Sequence, residues 1–228
     1  MAGTRIAAIV PALDEEQGLR HCLLELVGRA DEVVVVDGGS RDATLARALE
    51  CGARAISAQR GRAGQMNAGA MQCQADVLVF VHADTRMPPG WREAIERALQ
   101  AGARWGRFDV RLDSGRAPLR LVGAMMNLRS RLTGIATGDQ AIFVSRAAWR
   151  DCGGFAAIPL MEDIELSRRL KRVAGAPTAL RERVLVSARR WERRGVLRTI
   201  AQMWLLRALY YFGAPPATLH RLYYGRRA

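Results

Sequence analysis

The sequence predicts an α/β fold with a mostly parallel sheet flanked by helices and a C-terminal helical appendage. Three observations carry that prediction. Segments 32–37 and 76–82 are near-continuous runs of valine, leucine and phenylalanine, the pattern of strands covered on both faces. Segment 5–10 has the same character. Helix-length stretches at 15–28, 41–50, 62–74 and 90–101 alternate with strands through the first hundred residues, as right-handed crossovers of a parallel sheet require.

Each element has a local reason. The helix at 15–28 opens on Glu15-Glu16, acids that complement the helix dipole, and Ser40-Arg41-Asp42 offers an N-cap to the helix at 41–50. Segment 62–74 follows a glycine-rich basic turn at Gly61-Arg62-Ala63-Gly64, and 90–101 follows Pro88-Pro89. After residue 103 the rhythm changes, with a strand at 104–113, a helix at 117–132, a strand at 139–145 and a helix at 162–174 that begins on Glu162-Asp163. Segment 196–212 is apolar on nearly every side, interrupted by Gln202 and Arg207. It is shorter than the roughly 20 residues a membrane span needs. The chain thus divides into halves at 1–102 and 103–192 of one domain and a basic, apolar tail at 193–228.

Composition narrows the class further. Half of the 228 residues are apolar and a quarter charged, too apolar for a disordered tail protein. Four widely spaced cysteines (Cys22, Cys51, Cys73, Cys152) support neither a disulfide scaffold nor a zinc ribbon, and read as free thiols. The first residues lack a secretory signal pattern, so the expected location is cytoplasmic with the chain starting at Met1. Net charge is +13, and residues 181–228 hold eleven arginines against two glutamates, nine of those thirteen charges. Such a segment can meet nucleic acid, acidic lipid or an anionic substrate. With 6% aromatics and no recognition helix or RNP pattern, nucleic acid is the weakest partner.

The chemistry gathers at strand ends, where open α/β sheets bind ligands. The strands end at Pro11-Ala12-Leu13-Asp14-Glu15-Glu16, at Asp37-Gly38-Gly39-Ser40 and at His82-Ala83-Asp84-Thr85. Carboxylates gathered on one edge need a positive partner, and a divalent cation completed by phosphate oxygens is the natural one. Taken singly, each piece has a plainer role: a glycine turn, helix-start acids, a structural histidine. No P-loop and no dinucleotide glycine fingerprint is present.

In this order the motifs resemble those of a family 2 glycosyltransferase with the GT-A fold. Pro11-Ala12-Leu13-Asp14-Glu15-Glu16 resembles Pro-x-x-Asn-Glu-Glu, and Asp37-Gly38-Gly39-Ser40-x-Asp42 resembles Asp-Asp-Gly-Ser-x-Asp. Gly61 to Ala70, with Arg62 and Asn67, resembles the family's Arg-Gly segment, and His82-Ala83-Asp84 stands where the family has Asp-x-Asp. Gly138-Asp139-Gln140 and Glu162-Asp163 resemble the acceptor-side loop of a bacterial subgroup and the family's Glu-Asp pair.

The resemblance implies an inverting, metal-dependent hexosyltransferase with a nucleotide-sugar donor, UDP-sugar by default, and an unidentified acceptor. Pro11, Leu13, Glu15, Asp37, Gly61, Arg62, Asn67, Ala83 and Asp84 would then contact the donor, with Asp84 ligating Mg²⁺ or Mn²⁺. His82, in place of a carboxylate, is a second candidate for the metal or a donor contact. Asp163, beside Glu162, would be the general base. Gly138, Asp139 and Gln140 would face the acceptor. Ser187-Ala188-Arg189-Arg190-Trp191 resembles the Gln-x-x-Arg-Trp of polysaccharide synthases, with Ser for Gln, and puts Arg190 and Trp191 at the acceptor or diphosphate.

Two other readings stay open: a metal-dependent nucleotidyltransferase and a non-catalytic, basic, membrane-docked binding protein. The tail suits either an anionic membrane surface, with the protein peripheral on its inner face, or a homodimer contact.

Overall fold

The computed structural model describes residues 3–225; Met1, the predicted start, and residues 226–228 of the predicted tail lie outside the described residues. Strands β1 (Ile6–Ala12), β2 (Glu32–Asp37), β3 (Arg54–Ser57) and β4 (Val77–Phe80) make a parallel half-sheet. Strands β5 (Thr85–Arg86), β6 (Trp105–Asp113), β7 (Ile142–Ser145) and β8 (Thr178–Ser187) complete the order β3-β2-β1-β4-β7-β6-β8-β5. β7 runs antiparallel to both β4 and β6, β8 lies parallel to β6, and β5 is antiparallel to β8. The second half of the sheet is therefore mixed.

Alternation along the strands explains why they read as continuous apolar runs. In β1, Ile6, Ala8 and Val10 enter one core while Ala7 and Ile9 enter the other. In β4, Val77 and Val79 go one way and Leu78 and Phe80 the other. Helices α1 (Glu16–Leu24), α2 (Thr44–Glu50), α4 (Trp91–Gln100) and α5 (Ala117–Thr133) cover the first face. The second is covered by α3 (Arg62–Gln72), α6 (Arg146–Asp151) and α7 (Glu162–Ala174). Gly69 lets α3 lie tight on the sheet, since a Cβ there would meet Ile9 Cγ2 at 2.5 Å and Val36 Cγ2 at 2.9 Å.

Three sequence expectations need correction. The first helix runs only from Glu16 to Leu24, and turns carry the chain beyond it. The second begins at Thr44 instead of 41, because Ser40 is engaged elsewhere and Asp42 Oδ1 accepts from the Thr44 amide at 3.0 Å. Strand 139–145 shortens to Ile142–Ser145: Gly138–Gln140 forms a 3-10 turn, and Ala141 turns left-handed at φ 44°. The C-terminal tail is helical, as expected, and packs on the body. Helices α8 (Arg189–Arg194), α9 (Val196–Tyr211) and α10 (Pro216–Tyr224) follow β8 back onto the body. Leu206, Leu219 and Tyr223 form a third core with Met161 and Ile164, and Val196 and Ile200 pack on the first core. Among the described residues, no helix is long and apolar enough to cross a membrane. All four cysteines are free, with Cys22, Cys73 and Cys152 buried.

Candidate active site

The carboxyl ends of the parallel strands open onto a cavity of about 1040 Å³. Pairing of Ala12 with Asp37 and of Ile9 with Phe80 sets those ends side by side. From the first turn come Pro11, Leu13 and Glu15; from the α3 start, Gly61 and Arg62; from the end of β4, His82, Ala83 and Asp84. Gly138 and Asp139 line it from the 3-10 turn, Glu162 and Asp163 from the first turn of α7, and Arg190 and Trp191 from α8.

Asp37, Asn67 and Gln140 do not line the cavity. Asp37 is buried and accepts from the amides of Gly39 at 2.9 Å and Ser40 at 3.1 Å and from the Ser40 hydroxyl. Asn67 clamps the main chain of Phe155, accepting its amide and donating to its carbonyl, each at 2.9 Å. Gln140 closes a capping box on Thr137. All three shape loops that carry other residues to the site.

The acidic first turn is likewise mostly structural. Asp14 accepts from the Arg41 amide at 2.8 Å and its own amide donates to Ser40 Oγ at 2.9 Å. Glu16 Oε2 accepts from the Ala43 amide at 2.9 Å, while Asp42 accepts from the Glu16 amide at 3.1 Å. These reciprocal bonds staple the turn after β1 to the turn after β2, satisfying amides that lack helical partners. Glu15 alone of the three acids faces the cavity. Gln65, which sequence reasoning missed, adds a buried cross-tie, donating to Ala12 O at 2.9 Å and Val36 O at 2.7 Å.

The electrostatics follow from this placement. Burial first, and then the neighbouring Asp84 charge, push the Glu15 carboxyl up, opposed by Arg189, Arg62 and His82. Asp84 makes no ion pair or side-chain hydrogen bond among the described residues. His82 is paired instead with Asp139, Nδ1 to Oδ1 at 3.3 Å. Burial alone would raise Asp139, but the His82 hydrogen bond and charge, with Arg190 and Arg62, outweigh it and hold the carboxyl at about 2. Gly138 makes room for this pair, since a Cβ there would fall 2.4 Å from His82 Cε1 and Nε2. Burial and Asp163 raise the Glu162 carboxyl, which lies 4.0 Å from Arg62. Asp163 is fixed by main-chain donors, Gly138 N to Oδ2 at 2.9 Å and Ile164 N to Oδ1 at 2.7 Å.

Three non-glycine residues in the left-handed region, Asp14, Ala141 and Met161, precede Glu15, follow Gln140 and precede Glu162. Strain of this kind, about 1–3 kcal/mol each, persists only where surrounding contacts over-determine the turn.

Sequence reasoning missed the far wall. Arg207, His220 and Tyr223 line the cavity beside Arg189 of the predicted Arg-Arg-Trp motif. The Arg190 guanidinium donates to the Tyr223 hydroxyl and lies 5.1 Å from the ring centroid. The signal was Arg207 itself, a charge interrupting an otherwise apolar helix.

Residues 7–147 match the family model described as Glycosyl transferase family 2. An undecaprenyl-phosphate 4-deoxy-4-formamido-L-arabinose transferase of Pseudomonas paraeruginosa is 33% identical over 152 residues, 59% of this chain and 44% of that protein. A fragment of S. aureus TarS in complex with UDP-GlcNAc superposes with a TM-score of 0.66 at 18% identity, covering 80% of this chain and 58% of that one. Glucosyl-3-phosphoglycerate synthase from Mycobacterium tuberculosis, crystallised with Mn²⁺, UDP and glucosyl-3-phosphoglycerate, superposes with a TM-score of 0.58 at 21% identity, covering 81% and 71%. The chain spans less than half the length of the curated relatives it matches.

Proposed function

The chain belongs to glycosyltransferase family 2 and has the GT-A fold, and from that premise we propose that it moves a sugar from a UDP-sugar to an acceptor hydroxyl with inversion at the anomeric carbon. The observation that carries this reading is the meeting of Glu15 and Asp84 from strand ends with Asp163 from α7 in one arginine-walled cavity.

In this reading Pro11, Leu13 and Glu15 hold the nucleoside end of the donor. Asp84 would hold Mg²⁺ or Mn²⁺ together with the donor's own oxygens. This fits its lack of an ion-pair or side-chain hydrogen-bond partner among the described residues. Such an ion, when bound, neutralises charge on the leaving diphosphate. Arg62, Arg189 and Arg190 add fixed positive charge in the same cavity. Asp163, its carboxylate aimed by two main-chain amides, takes the acceptor's proton as the new bond forms. The contact between His82 and Asp139 holds the 3-10 turn beside it.

Membrane contact fits the outer surface. Leu121, Met125, Leu128 and Leu132 make an exposed stripe on α5, and Leu197, Trp204 and Leu205 are exposed on α9. Arg120 stands on α5, Arg193 and Arg194 on α8, and Arg198 on α9. Apolar groups among arginines suit an anionic bilayer surface, where a lipid-linked acceptor would lie.

The test is product identity with a panel of UDP-sugars and Mn²⁺. Release of UDP without pyrophosphate, and a rise in melting temperature on adding UDP, are the expected results. Pyrophosphate release would replace this reading with nucleotidyl transfer.

A further inference from the structure

Helix α10 brings aromatic side chains to the helical wall of the cavity. Leu219 and Tyr223, one turn apart, are buried in the third core. They share it with Met161 and Ile164, the residues on either side of Glu162-Asp163. The neighbouring stripe of the same helix, His220 and Tyr224, is also one turn apart and lines the cavity together with Tyr223.

The three rings form a connected ladder. His220 and Tyr224 lie 4.7 Å apart between ring centroids, and Tyr223 meets Tyr224 edge to face at 4.6 Å. Tyr223 is the fixed post. Its hydroxyl accepts from Arg190, whose guanidinium lies 5.1 Å from the ring centroid, and the Arg194 guanidinium lies at 5.9 Å. Only 8% of Tyr223 is exposed, against 43% of Tyr224. Tyr224 is therefore positioned by its neighbours while much of its surface stays open beside the cavity. Neither Tyr224 nor His220 makes a side-chain hydrogen bond among the described residues, which leaves a hydroxyl and an imidazole beside that ring for polar groups.

An open aromatic ring flanked by hydrogen-bonding tips matches one class of molecule. A pyranose presents C–H groups on one face and hydroxyls around its edge, so it stacks on an aromatic ring and hydrogen-bonds sideways. A bare phosphate has no use for the ring, and an alkyl chain has none for the polar tips.

We propose that Tyr224 and His220, positioned by the Tyr223–Arg190 contact, form a stacking platform for a pyranose ring, and that this ring is the acceptor. Its role as acceptor rests on the glycosyltransferase reading; the sugar platform itself does not. A hydroxyl of the stacked ring gives its proton to Asp163, and its oxygen bonds to the anomeric carbon as UDP leaves. The acceptor is thus itself a sugar.

Saturation-transfer NMR on the full chain tests it, with and without UDP plus Mn²⁺. The probes are the methyl α-pyranosides of glucose, galactose and mannose, with the acyclic polyol sorbitol as control. At least one glycoside is expected to receive saturation on the C–H protons of one ring face, and sorbitol to receive none. Tyr224→Leu keeps apolar bulk but not the aromatic face, and should weaken that glycoside's affinity about 2–10-fold, the worth of one aromatic contact. Tyr224→Phe keeps the face and should retain most of the affinity.

No transfer to any glycoside, equal transfer to sorbitol, or unchanged affinity in Tyr224→Leu overturns the platform. A loss in Tyr224→Phe as large as in Tyr224→Leu overturns stacking as its basis. A smaller UDP-dependent rise in melting temperature in Tyr224→Leu would assign the ring to the donor's base and overturn the acceptor role. Failure of UDP to stabilise the wild-type protein would strike the donor reading alone, because Tyr224-dependent sugar binding is also read without UDP.

Discussion

The sheet-edge wall of the cavity and the helical wall facing it hold their charged groups by different means. On the sheet side, main-chain amides fix the turns: the loops after β1 and β2 are stapled through Asp14, Asp37, Ser40 and Asp42, with Gln65 tying both strand ends to α3. On the helical side main-chain amides hold Asp163 as well, but the helices themselves are placed by a small side-chain core of Met161, Ile164, Leu206, Leu219 and Tyr223 and by arginine–tyrosine contacts. Main-chain networks tolerate little displacement, whereas a small apolar cluster can be repacked. Under the proposed function, this contrast would let one wall hold the nucleotide while the other adapts to the acceptor.

The largest effect should come from separating chemistry from donor binding across the two walls. Asp163→Asn is expected to lower turnover by roughly 10²–10⁴-fold, the range for a lost general base. Its UDP-dependent thermal shift should remain, because Asp163 belongs to the helical side. Asp84→Asn should instead abolish the response of UDP binding to Mn²⁺. Asp163→Asn that loses UDP binding, or Asp84→Asn that keeps the full metal response, breaks the division between walls.

The next test attacks the helical core. Leu219 is fully buried in it, and Leu219→Ala should cost about 2–5 kcal/mol of stability. If Tyr223 then releases Arg190, the acceptor KM should rise while UDP affinity stays. Equal damage to both sides would mean that the walls are mechanically one.

The same contrast decided what was legible in the sequence. Strands buried on both faces and glycine turns at their ends leave local signals, so β1, β2 and β4 and the residues Glu15, Asp84 and Asp163 could be picked out. Asp37 and Asn67 carried equally strong signals but are engaged by Ser40 and Phe155, since a motif fixes residue type and not the direction of a side chain. Arg207 was legible only as a charge interrupting an apolar helix, and His220 and Tyr223 left no signal as site residues. They reach the cavity through long-range packing of α9 and α10, which an apolar helix does not announce. Strand β8 was hidden for a related reason: Arg181, Glu182 and Arg183 break the apolar pattern of its first half, where only the neighbouring β6 supplies the pairing.

A smaller effect is expected at the seam. Gly138→Ala puts a Cβ against the His82 ring, so the ring must move and its bond to Asp139 is lost. Overpacking of this kind costs about 1–3 kcal/mol. Asp139, held at about 2 by that partnership, contributes stability that is present above its unfolded value and lost as pH falls from about 4 toward 2. Gly138→Ala should shift that acid limb upward, measured as melting temperature against pH.

The smallest effect tests whether the sheet-edge wall trades stability for a ligand. Glu15 is raised by burial and by Asp84, so the native state binds more protons than the unfolded chain between about pH 4 and its raised native value. Wild-type stability must therefore fall as pH rises through that window. Glu15→Gln removes the penalty, and the variant should be more stable at neutral pH by less than about 1 kcal/mol, since solvent screens a partly exposed group. The gain should vanish near pH 4, where the carboxyl is protonated in both states. Asp84, without a side-chain partner among the described residues, keeps its place for a cation in this variant, so UDP affinity in Mn²⁺ should fall even as the free protein gains. A gain in both stability and UDP affinity would show that Glu15 serves the fold of the turn and not the donor.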